Sequence, residues 1–598
     1  MSQRRTLGGT VLAWGLLLAA GLWAAVKLSM VHGAADYGAW RAALLSEMAR
    51  PFFLVPGSSA PLYMLGALCV WLIGFAGAVR LLGKWRPGGE HGTADWGSAK
   101  RLRKKWECRG LLRDESGRFL EDPNIILSRN MRLGIGEGAV HAKNRNILVI
   151  GGSGTRKSTG LVMPNLMQCA SSFVVTDPSG ELYRGMGALL EARGYEVRCL
   201  NLVNMDRSHR MNPFRYLETA EDVARLATNF ITNTDDKARR GGDPFWTDSM
   251  RLLLMALIAF VWLELPEDEQ NFGTLTELLM VSQLDSEDMG ASSLLDQMFE
   301  DVGAKNPQSL SYRNYLLYKT APPKTRASII ITLTSRLAAF TVPAVRDLLS
   351  EDELDLDKLG DRKQAVFMII PQADTTYNFL VGLVYTSLFS CLYRKGEAVV
   401  RKDGRNFLKV PVQVLMDEFA NVAQPESFEQ VLATCRKYNI SIAILLQNMT
   451  QLKKLYEKEW ESIAGNCDTL IYLGGNEKFT WKYVSEALDR ETIQLRTSGR
   501  SGRSSSWNQQ ITGRSLLTPG EVRELPDDRC IVMVRGEHAV LDRKYNITKH
   551  PCFSETTMGG APPYQQRFTH ETSEEKNLYA EMMRDFPVPD LGPQDEID

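Results

Sequence analysis

A short apolar run that leads directly into a glycine-rich loop is the feature of this sequence that most constrains its fold. Residues 146–150 read NILVI, and residues 151–158 read GGSGTRKS. An apolar, β-branched run of this length is typical of a buried parallel strand, and glycines permit the tight turn that follows it. The order strand, glycine loop, helix predicts an α/β fold with the loop at the carboxyl edge of a parallel sheet.

The loop carries the residues that phosphate binding requires. Loop amides and the start of the next helix can cradle phosphates, Lys157 can reach the β- and γ-phosphates, and the Ser158 hydroxyl can bind Mg²⁺. A glycine-rich turn without a ligand is the alternative for the loop taken alone. The predicted nucleotide-binding residues are Gly151, Gly152, Ser153, Gly154, Thr155, Arg156, Lys157, Ser158 and Thr159.

Arg156 departs from the phosphate-loop pattern, which has glycine at this position. Its side chain must either point away from the phosphates or lie against them. A Cβ also limits how closely the backbone approaches a nucleotide. The sequence therefore predicts nucleotide binding and leaves the rate of hydrolysis open.

A second apolar run ends in two carboxylates. Residues 412–418 read VQVLMDE. In P-loop ATPases an aspartate at the end of a strand holds the Mg²⁺ shell, and an adjacent glutamate can polarise the attacking water. Asp417 is thus predicted to share Mg²⁺ with Ser158, and Glu418 is predicted to be catalytic with Lys157. A strand followed by an acidic helix cap is the alternative, which the presence of the phosphate loop disfavours.

Two further residues are candidates for catalysis. Gln447 follows the apolar run 441–446, where an amide could sense a γ-phosphate or position water; an ordinary hydrogen-bonding residue at a strand end is the alternative. Arg436 closes the helix before that run and could reach a neighbouring subunit's nucleotide as an arginine finger. A favourable charge at a helix C-terminus is the alternative for Arg436.

Strand-like and helical runs alternate through most of the chain, which predicts a RecA-like core with a parallel sheet. The region from about 216 to 351 is almost wholly helical and predicts an inserted all-α domain. Predicted strands are 173–176, 196–200, 365–370, 412–416, 441–446 and 469–473. Predicted domains are a two-span anchor (1–86), a basic linker (87–145), the nucleotide-binding core (146–215 and 352–548), the insert (216–351) and an acidic tail (549–598).

Two uncharged apolar stretches near the N-terminus predict membrane spans. Residues 6–26 and 62–79 are each long enough to cross a bilayer as a helix. Positive residues before the first and after the second favour a two-pass protein of the inner cell membrane, with both ends and the catalytic body in the cytoplasm. A cleaved signal peptide is the alternative for the first stretch. The shorter run 252–263 predicts a buried helix.

Charge and composition are informative in only a few places. The 598 residues carry a net charge of −1, so no global positive field draws a polyanion to the protein. Basic residues between 100 and 113 could touch anionic lipid, or could be a solvated face. The Ser-, Gly- and Arg-rich segment 496–514 is predicted to be a mobile loop that contacts single-stranded nucleic acid or only solvent.

Together these motifs resemble the type IV coupling proteins, the TraG/TraD-type ATPases of bacterial conjugation, in the branch found in integrative conjugative elements. The resemblance covers most of the chain. It rests on the two spans, Gly97-Ser98-Ala99, Lys157-Ser158, Thr176-Asp177-Pro178-Ser179-Gly180-Glu181, Asp417-Glu418-Phe419-Ala420-Asn421, Leu446-Gln447-Asn448 and Leu473-Gly474-Gly475-Asn476-Glu477.

The resemblance implies a membrane-bound assembly, usually a homo-hexamer, that receives a relaxase-bound DNA strand and uses ATP and Mg²⁺ to deliver it to other secretion components. It assigns nucleotide binding to Lys157 and Ser158, Mg²⁺ binding and hydrolysis to Asp417 and Glu418, and γ-phosphate sensing to Gln447. Two other hypotheses stay open: a substrate receptor with weak ATPase activity, and a chromosome-segregation DNA translocase of related fold.

Overall fold

The chain divides into two units, one formed by Met1–Thr93 with Arg490–Arg514 and the other by Ala94–Asp489 with Ser515–Asp598. The computed structural model describes residues 2–82, 89–135, 143–234, 244–284, 293–372, 374–398, 407–423, 425, 427–501, 504–566 and 568. Of the acidic tail predicted at 549–598, residues 549–566 and 568 are described, and the remainder lies outside the described residues. Cys552 and Tyr564 are buried in an apolar core, so this first part is packed within the second unit.

A mostly parallel sheet is the centre of the second unit. The strands of the chain are β1 (Leu112–Arg113), β2 (Phe119–Glu121), β3 (Asn124–Ile126), β4 (Arg132–Gly134), β5 (Ile147–Ile150), β6 (Ser172–Asp177), β7 (Glu196–Asn201), β8 (Gln364–Ile369), β9 (Val412–Met416), β10 (Ile440–Leu446), β11 (Thr469–Tyr472), β12 (Arg490–Ser501), β13 (Ser504–Ser515), β14 (Arg529–Val534) and β15 (Val540–Arg543). The main sheet has the order β15-β14-β11-β5-β10-β9-β6-β8-β7. Strands from β11 across to β7 run parallel, and β14 and β15 extend the β11 edge by antiparallel pairing.

Every strand predicted from an apolar run is present, with bounds that differ by at most one residue. The sequence did not predict β14 and β15, which form an antiparallel extension. Along β15 buried and exposed residues alternate, so this strand offers no continuous apolar run.

Both faces of the main sheet are buried. Along β5, Leu148 and Ile150 belong to one apolar core, while Ile147 and Val149 belong to a second core on the opposite face. Successive strand residues point to opposite faces, so a strand covered on both sides must be apolar throughout. This explains why the run before the glycine loop has no polar residue after Asn146.

Helices cover the sheet, and most of the described sequence between β7 and β8 is helical. The helices of the second unit are α4 (Ala99–Trp106), α5 (Met163–Leu166), α6 (Glu181–Glu191), α7 (Ala220–Thr234), α8 (Pro244–Glu264), α9 (Phe272–Leu284), α10 (Leu294–Lys305), α11 (Leu310–Lys319), α12 (Pro323–Leu337), α13 (Pro343–Leu348), α14 (Phe379–Ala398), α15 (Phe428–Thr434), α16 (Met449–Leu455), α17 (Trp460–Gly465), α18 (Lys478–Leu488) and α19 (Pro519–Arg523). One π-helical turn, Ser158–Val162, precedes α5.

Three helices of the described chain are long and apolar enough to cross a membrane. Two of them are the predicted spans, α1 (Ser2–Met30) and α3 (Ala60–Leu82), which a short helix, α2 (Tyr37–Met48), separates. In α3 the Val70 side chain is 72% exposed and Ile73 is 74% exposed, a surface suited to lipid. The third is α8, whose residues from Leu253 to Val261 include many with no exposure, which confirms the predicted buried helix.

The two apolar helices of the first unit pack through aromatic side chains. The Trp71 indole donates to the Trp14 carbonyl at 2.9 Å and stacks on Phe75 with ring centroids 5.0 Å apart. Beyond the apolar stretch, the buried Lys27 amine donates to the carbonyls of Arg50 at 2.8 Å and Phe53 at 2.6 Å. Lys27 thus links the segment between α2 and α3 to the C-terminal part of α1 by hydrogen bonds.

The prediction of a mobile loop at 496–514 was wrong. The backbone there forms β12 and β13, which pair with each other. Pairing uses main-chain hydrogen bonds, and β-branched residues such as Ile493 and Ile511 favour extended backbone. A pattern search based on apolar runs misses a strand pair whose other residues are mostly polar.

The basic segment at 100–105 lies on α4, where part of its charge is paired. Arg103 forms an ion pair with Glu107 at 2.7 Å, and Lys105 and Arg101 both pair with Glu537. Whether the remaining charge faces lipid or solvent stays a prediction.

Candidate nucleotide-binding site

The glycine loop begins between the ends of two neighbouring strands. The Gly151 N–H donates to the Leu446 carbonyl at the end of β10, and the Gly152 N–H donates to the Gly474 carbonyl just after β11, each at 2.9 Å. Because β10 and β11 flank β5, the loop is held from both sides at the carboxyl edge of the sheet. This is the edge at which parallel α/β sheets bind ligands.

Lys157 and Ser158 lie at the start of the helix that follows the loop. The Lys157 amine donates to the carbonyls of Gly151 at 2.7 Å and Gly152 at 3.1 Å, so it bends back over the loop. Burial lowers the pKa of Lys157, while the nearby Asp417 and Glu418 carboxylates act in the opposite direction. A phosphate group would add further negative charge beside this half-buried amine.

The structure brings Ser158 and Asp417 together across 259 positions of sequence. The Ser158 hydroxyl donates to Asp417 Oδ2 at 2.8 Å. Asp417 follows β9 and is only 4% exposed, and burial raises its pKa against the opposing effects of Ser158 and Lys157. A hydroxyl and a carboxylate at this distance are oxygen ligands of the kind that Mg²⁺ prefers, so these residues fit the predicted metal.

Glu418 follows Asp417 in an unusual backbone conformation. Its φ is +50°, in the left-handed region, and its N–H donates to Asp417 Oδ1 at 3.0 Å. The side chain is half-buried and accepts from the Asn421 amide at 3.2 Å. The negative charge of Glu418 acts to raise the pKa of Lys157, so the two predicted catalytic side chains interact electrostatically.

Arg156 also has left-handed backbone, with φ +68°, and its side chain is exposed. The loop therefore keeps the backbone conformation for which glycine is suited, although a Cβ is present. Ser153 and Gly154 are exposed, and Thr159 is half-buried in the turn that follows Ser158.

Gln447 lies at the same edge as the loop, and Arg436 does not. Gln447 is half-buried after β10, and its N–H donates to Gln451 Oε1 at 2.9 Å. Arg436 is exposed in the turn before β10 begins, which is the opposite edge of the sheet. Within one chain Arg436 is therefore separate from the other predicted site residues.

Asp177 is the last residue of β6. Its carboxylate accepts from the Tyr183 N–H at 2.8 Å in the first part of α6. Burial raises the pKa of Asp177 to about 6. The Asp177 carboxylate thus satisfies an N–H in the first turn of α6 at the carboxyl edge of the sheet.

Sequence reasoning assigned no role to two parts of this site. Gly474 lies beside the loop through its carbonyl, and Lys544 donates from its amine to the Thr155 carbonyl at 3.0 Å. Gly474 belongs to the motif Leu473–Glu477, which carries the family resemblance but implies no role for this glycine. No sequence pattern indicated a role for Lys544, because this residue lies just beyond the antiparallel edge strand β15 and far from the loop in the sequence.

A family model matches most of the chain. A family model described as "T4SS-DNA_transf: Type IV secretory system Conjugative DNA transfer" matches residues 103–582. A "Conjugal transfer protein TraG" of Rhizobium radiobacter is 24% identical over 408 residues, which are 65% of this chain and 60% of that protein. A "Protein VirD4" of Agrobacterium fabrum is 23% identical over 510 residues, 81% of this chain and 71% of that protein. This chain thus spans less than two thirds of the first of these relatives.

Solved structures show the same fold. The "Bacterial conjugative coupling protein TrwBdeltaN70", in an unbound form, has a TM-score of 0.55 at 15% identity and covers 77% of this chain and 97% of its own. "Plasmid coupling protein TrwB in complex with ADP and Mg2+" has a TM-score of 0.54 at 14% identity, with 76% and 94% covered. These likenesses confirm the predicted RecA-like α/β fold.

Proposed function

Since this chain belongs to the family of type IV secretory system conjugative DNA transfer proteins, we propose that it is a membrane-anchored ATPase that couples a DNA substrate to a conjugative secretion channel. The substrate is single-stranded DNA bound to a relaxase, and the working form is a homo-hexamer in the inner cell membrane. The partners are the other components of the secretion system.

The observation that carries this proposal is the contact between Ser158 and Asp417. It joins the phosphate loop to the carboxylate at the end of β9, with Glu418 in the next position. Ser158 and Asp417 would hold Mg²⁺, the loop amides and Lys157 would hold the phosphates, and Glu418 would accept a proton from the attacking water. When bound, Mg²⁺ would neutralise phosphate charge.

The first experiment measures ATP hydrolysis by the detergent-solubilised protein with and without single-stranded DNA. We expect DNA to stimulate turnover, and we expect Glu418→Gln to lower kcat by about 100-fold or more while ATP still binds. Lys157→Ala should weaken ATP binding as well. A wild-type protein that binds ATP tightly and does not hydrolyse it, with or without DNA, would refute the motor function.

A second candidate function is a nucleotide-gated substrate receptor, and Arg156 is the observation that favours it. An exposed cation with left-handed backbone stands in the loop at the glycine position. Arg156→Gly separates the two functions. If the wild type binds ATP without hydrolysing it and only the Arg156→Gly variant hydrolyses ATP, the natural protein is a substrate receptor. A partner protein would then drive the transport of DNA.

A further inference from the structure

Glu418 is held by a residue to which the proposed function gives no role. The Asn421 side-chain amide donates to Glu418 Oε2 at 3.2 Å, and the Asn421 N–H donates to the Glu418 carbonyl at 2.8 Å. The turn Phe419–Asn421 makes this return possible. An amide that binds one carboxylate oxygen also fixes the direction in which the second oxygen points.

Asn421 is itself anchored from a different element. Asn378, the residue before α14, donates from its side-chain amide to the Asn421 carbonyl. Asn378 is 7% exposed, and its own N–H donates to the Thr375 carbonyl at 3.1 Å. A buried side chain with few alternative rotamers gives Asn421 a fixed support.

The side-chain oxygen of Asn378 is buried and has no hydrogen-bond partner among the residues that the structure describes. Leaving such an atom unpaired destabilises the folded protein, while the amide of the same side chain stays bonded to the Asn421 carbonyl. Asn378 also lines a cavity of about 1,320 Å³ whose wall includes residues of α7, of α12 and of the segment that follows β9, with Thr332 on the α12 side. The contacts from this cavity to Glu418 therefore form one continuous series.

We propose that Asn421 is a positioning residue for Glu418 and that Asn378 holds Asn421 in place, so that this pair sets the rate of ATP hydrolysis without touching the nucleotide. The proposal rests on the proposed ATPase function. Asn421 acts by orienting the Glu418 carboxylate toward the attacking water. Its loss leaves ATP binding intact and misdirects the base.

The test compares steady-state ATP hydrolysis by the full-length wild type, Asn421→Ala, Asn378→Ala and Thr332→Ala. We expect Asn421→Ala to lower kcat by about 10- to 100-fold and to change KM for ATP less than about two-fold. Asn378→Ala should lower kcat by a smaller factor. Thr332→Ala, which alters the same cavity wall without touching Asn378 or Asn421, should match the wild type.

A double substitution distinguishes positioning from general destabilisation. In a Glu418→Gln background, Asn421→Ala should reduce the residual single-turnover rate by less than about two-fold, because its effect passes through the missing carboxylate. The proposal is overturned if Asn421→Ala hydrolyses ATP like the wild type, or if it causes its full loss in the Glu418→Gln background. A wild type without ATPase activity overturns the proposed function and this inference together, whereas the first two results overturn the inference alone.

Discussion

At the scale of single residues, Arg156 and Glu418 share an unfavourable feature. Both have left-handed backbone at positions that flank the predicted phosphate and metal sites. Such a conformation costs a residue with a Cβ about 1–2 kcal/mol, and surrounding structure must sustain it. For Arg156 that structure includes the helix that follows, because the Gly160 N–H donates to the Arg156 carbonyl at 2.8 Å.

The left-handed backbone of Arg156 predicts that glycine stabilises the protein more than alanine at this position, which is the reverse of the order inside a helix. Arg156→Gly should unfold at higher denaturant than Arg156→Ala, with a difference of about 1 kcal/mol, because only glycine lacks the Cβ that left-handed backbone disfavours. Exposed Lys482 inside α18 is the matched control. There alanine should be the more stable by about 1 kcal/mol, since glycine weakens helices. The same order at both positions would contradict the assigned backbone of Arg156.

His550 predicts a specific loss of stability in acid. Burial lowers the pKa of His550 from 6.5 to about 4, and the charge of Arg132 adds to this effect. The neutral ring is satisfied on both sides, since Nδ1 accepts from the Cys552 N–H at 3.2 Å and Nε2 contacts Gln168 Oε1 at 3.0 Å. A depressed pKa contributes stability that is present above pH 6.5 and is lost as the pH falls toward 4.

We therefore expect the wild type to lose roughly 3 kcal/mol more stability than His550→Gln between pH 7 and pH 4. Denaturant unfolding of both proteins at each pH measures this difference. The comparison cancels the contributions of Asp177 and Asp352, whose pKa burial raises to about 6 in both proteins. Equal losses in the two proteins would show that folding does not lower the pKa of the His550 ring.

At the scale of elements, α6 packs closely against the end of the described C-terminal segment. The Tyr564 N–H donates to the Arg184 carbonyl at 2.9 Å, and the Tyr564 ring lies edge-on to Tyr183 with centroids 5.4 Å apart. A Cβ on Gly187 would lie 2.2 Å from the Tyr564 ring. Glycine at this position is what allows the segment to lie against the helix.

Gly187→Ala is expected to displace the Tyr564 ring and to destabilise the protein by about 1–3 kcal/mol. The control is Gly465→Ala at the end of α17, where an added Cβ meets nothing within 4 Å. Thermal unfolding of the two variants measures the difference, and we expect the control to match the wild type. A Gly187→Ala protein as stable as the control would mean that the C-terminal segment can move away without cost.

Elements also show how much the sequence could predict. The buried strands and the meeting of Ser158 with Asp417 could be predicted, because parallel strands covered on both faces are continuously apolar and end at one edge. The pairing of β12 with β13 and the position of Lys544 could not be predicted. Both depend on which strands pair with each other, and strands with polar or alternating residues do not indicate their partners. The hydrogen bond from Asn421 to Glu418 depends on a local turn that no residue pattern specified.

At the scale of the whole molecule, the apolar helices predict a topology that labelling can test. Ser46 lies on α2 between the apolar helices α1 and α3 and is exposed, while Glu115 follows α3 in the sequence and is exposed. In intact cells a membrane-impermeant maleimide should label Ser46→Cys and leave Glu115→Cys unlabelled until the cells are lysed. Labelling of Glu115→Cys in intact cells would reverse the proposed orientation.

The attachment of the glycine loop to strands on both sides has a thermodynamic consequence. A flexible phosphate loop must lose conformational entropy each time a ligand orders it, and that loss subtracts from affinity. Here the Gly151 and Gly152 amides are already fixed by β10 and the end of β11 when the sheet folds. Association with ATP should then be limited by diffusion and by release of the Lys157 amine from its two carbonyls, and repeated turnover would not require the loop to be rebuilt.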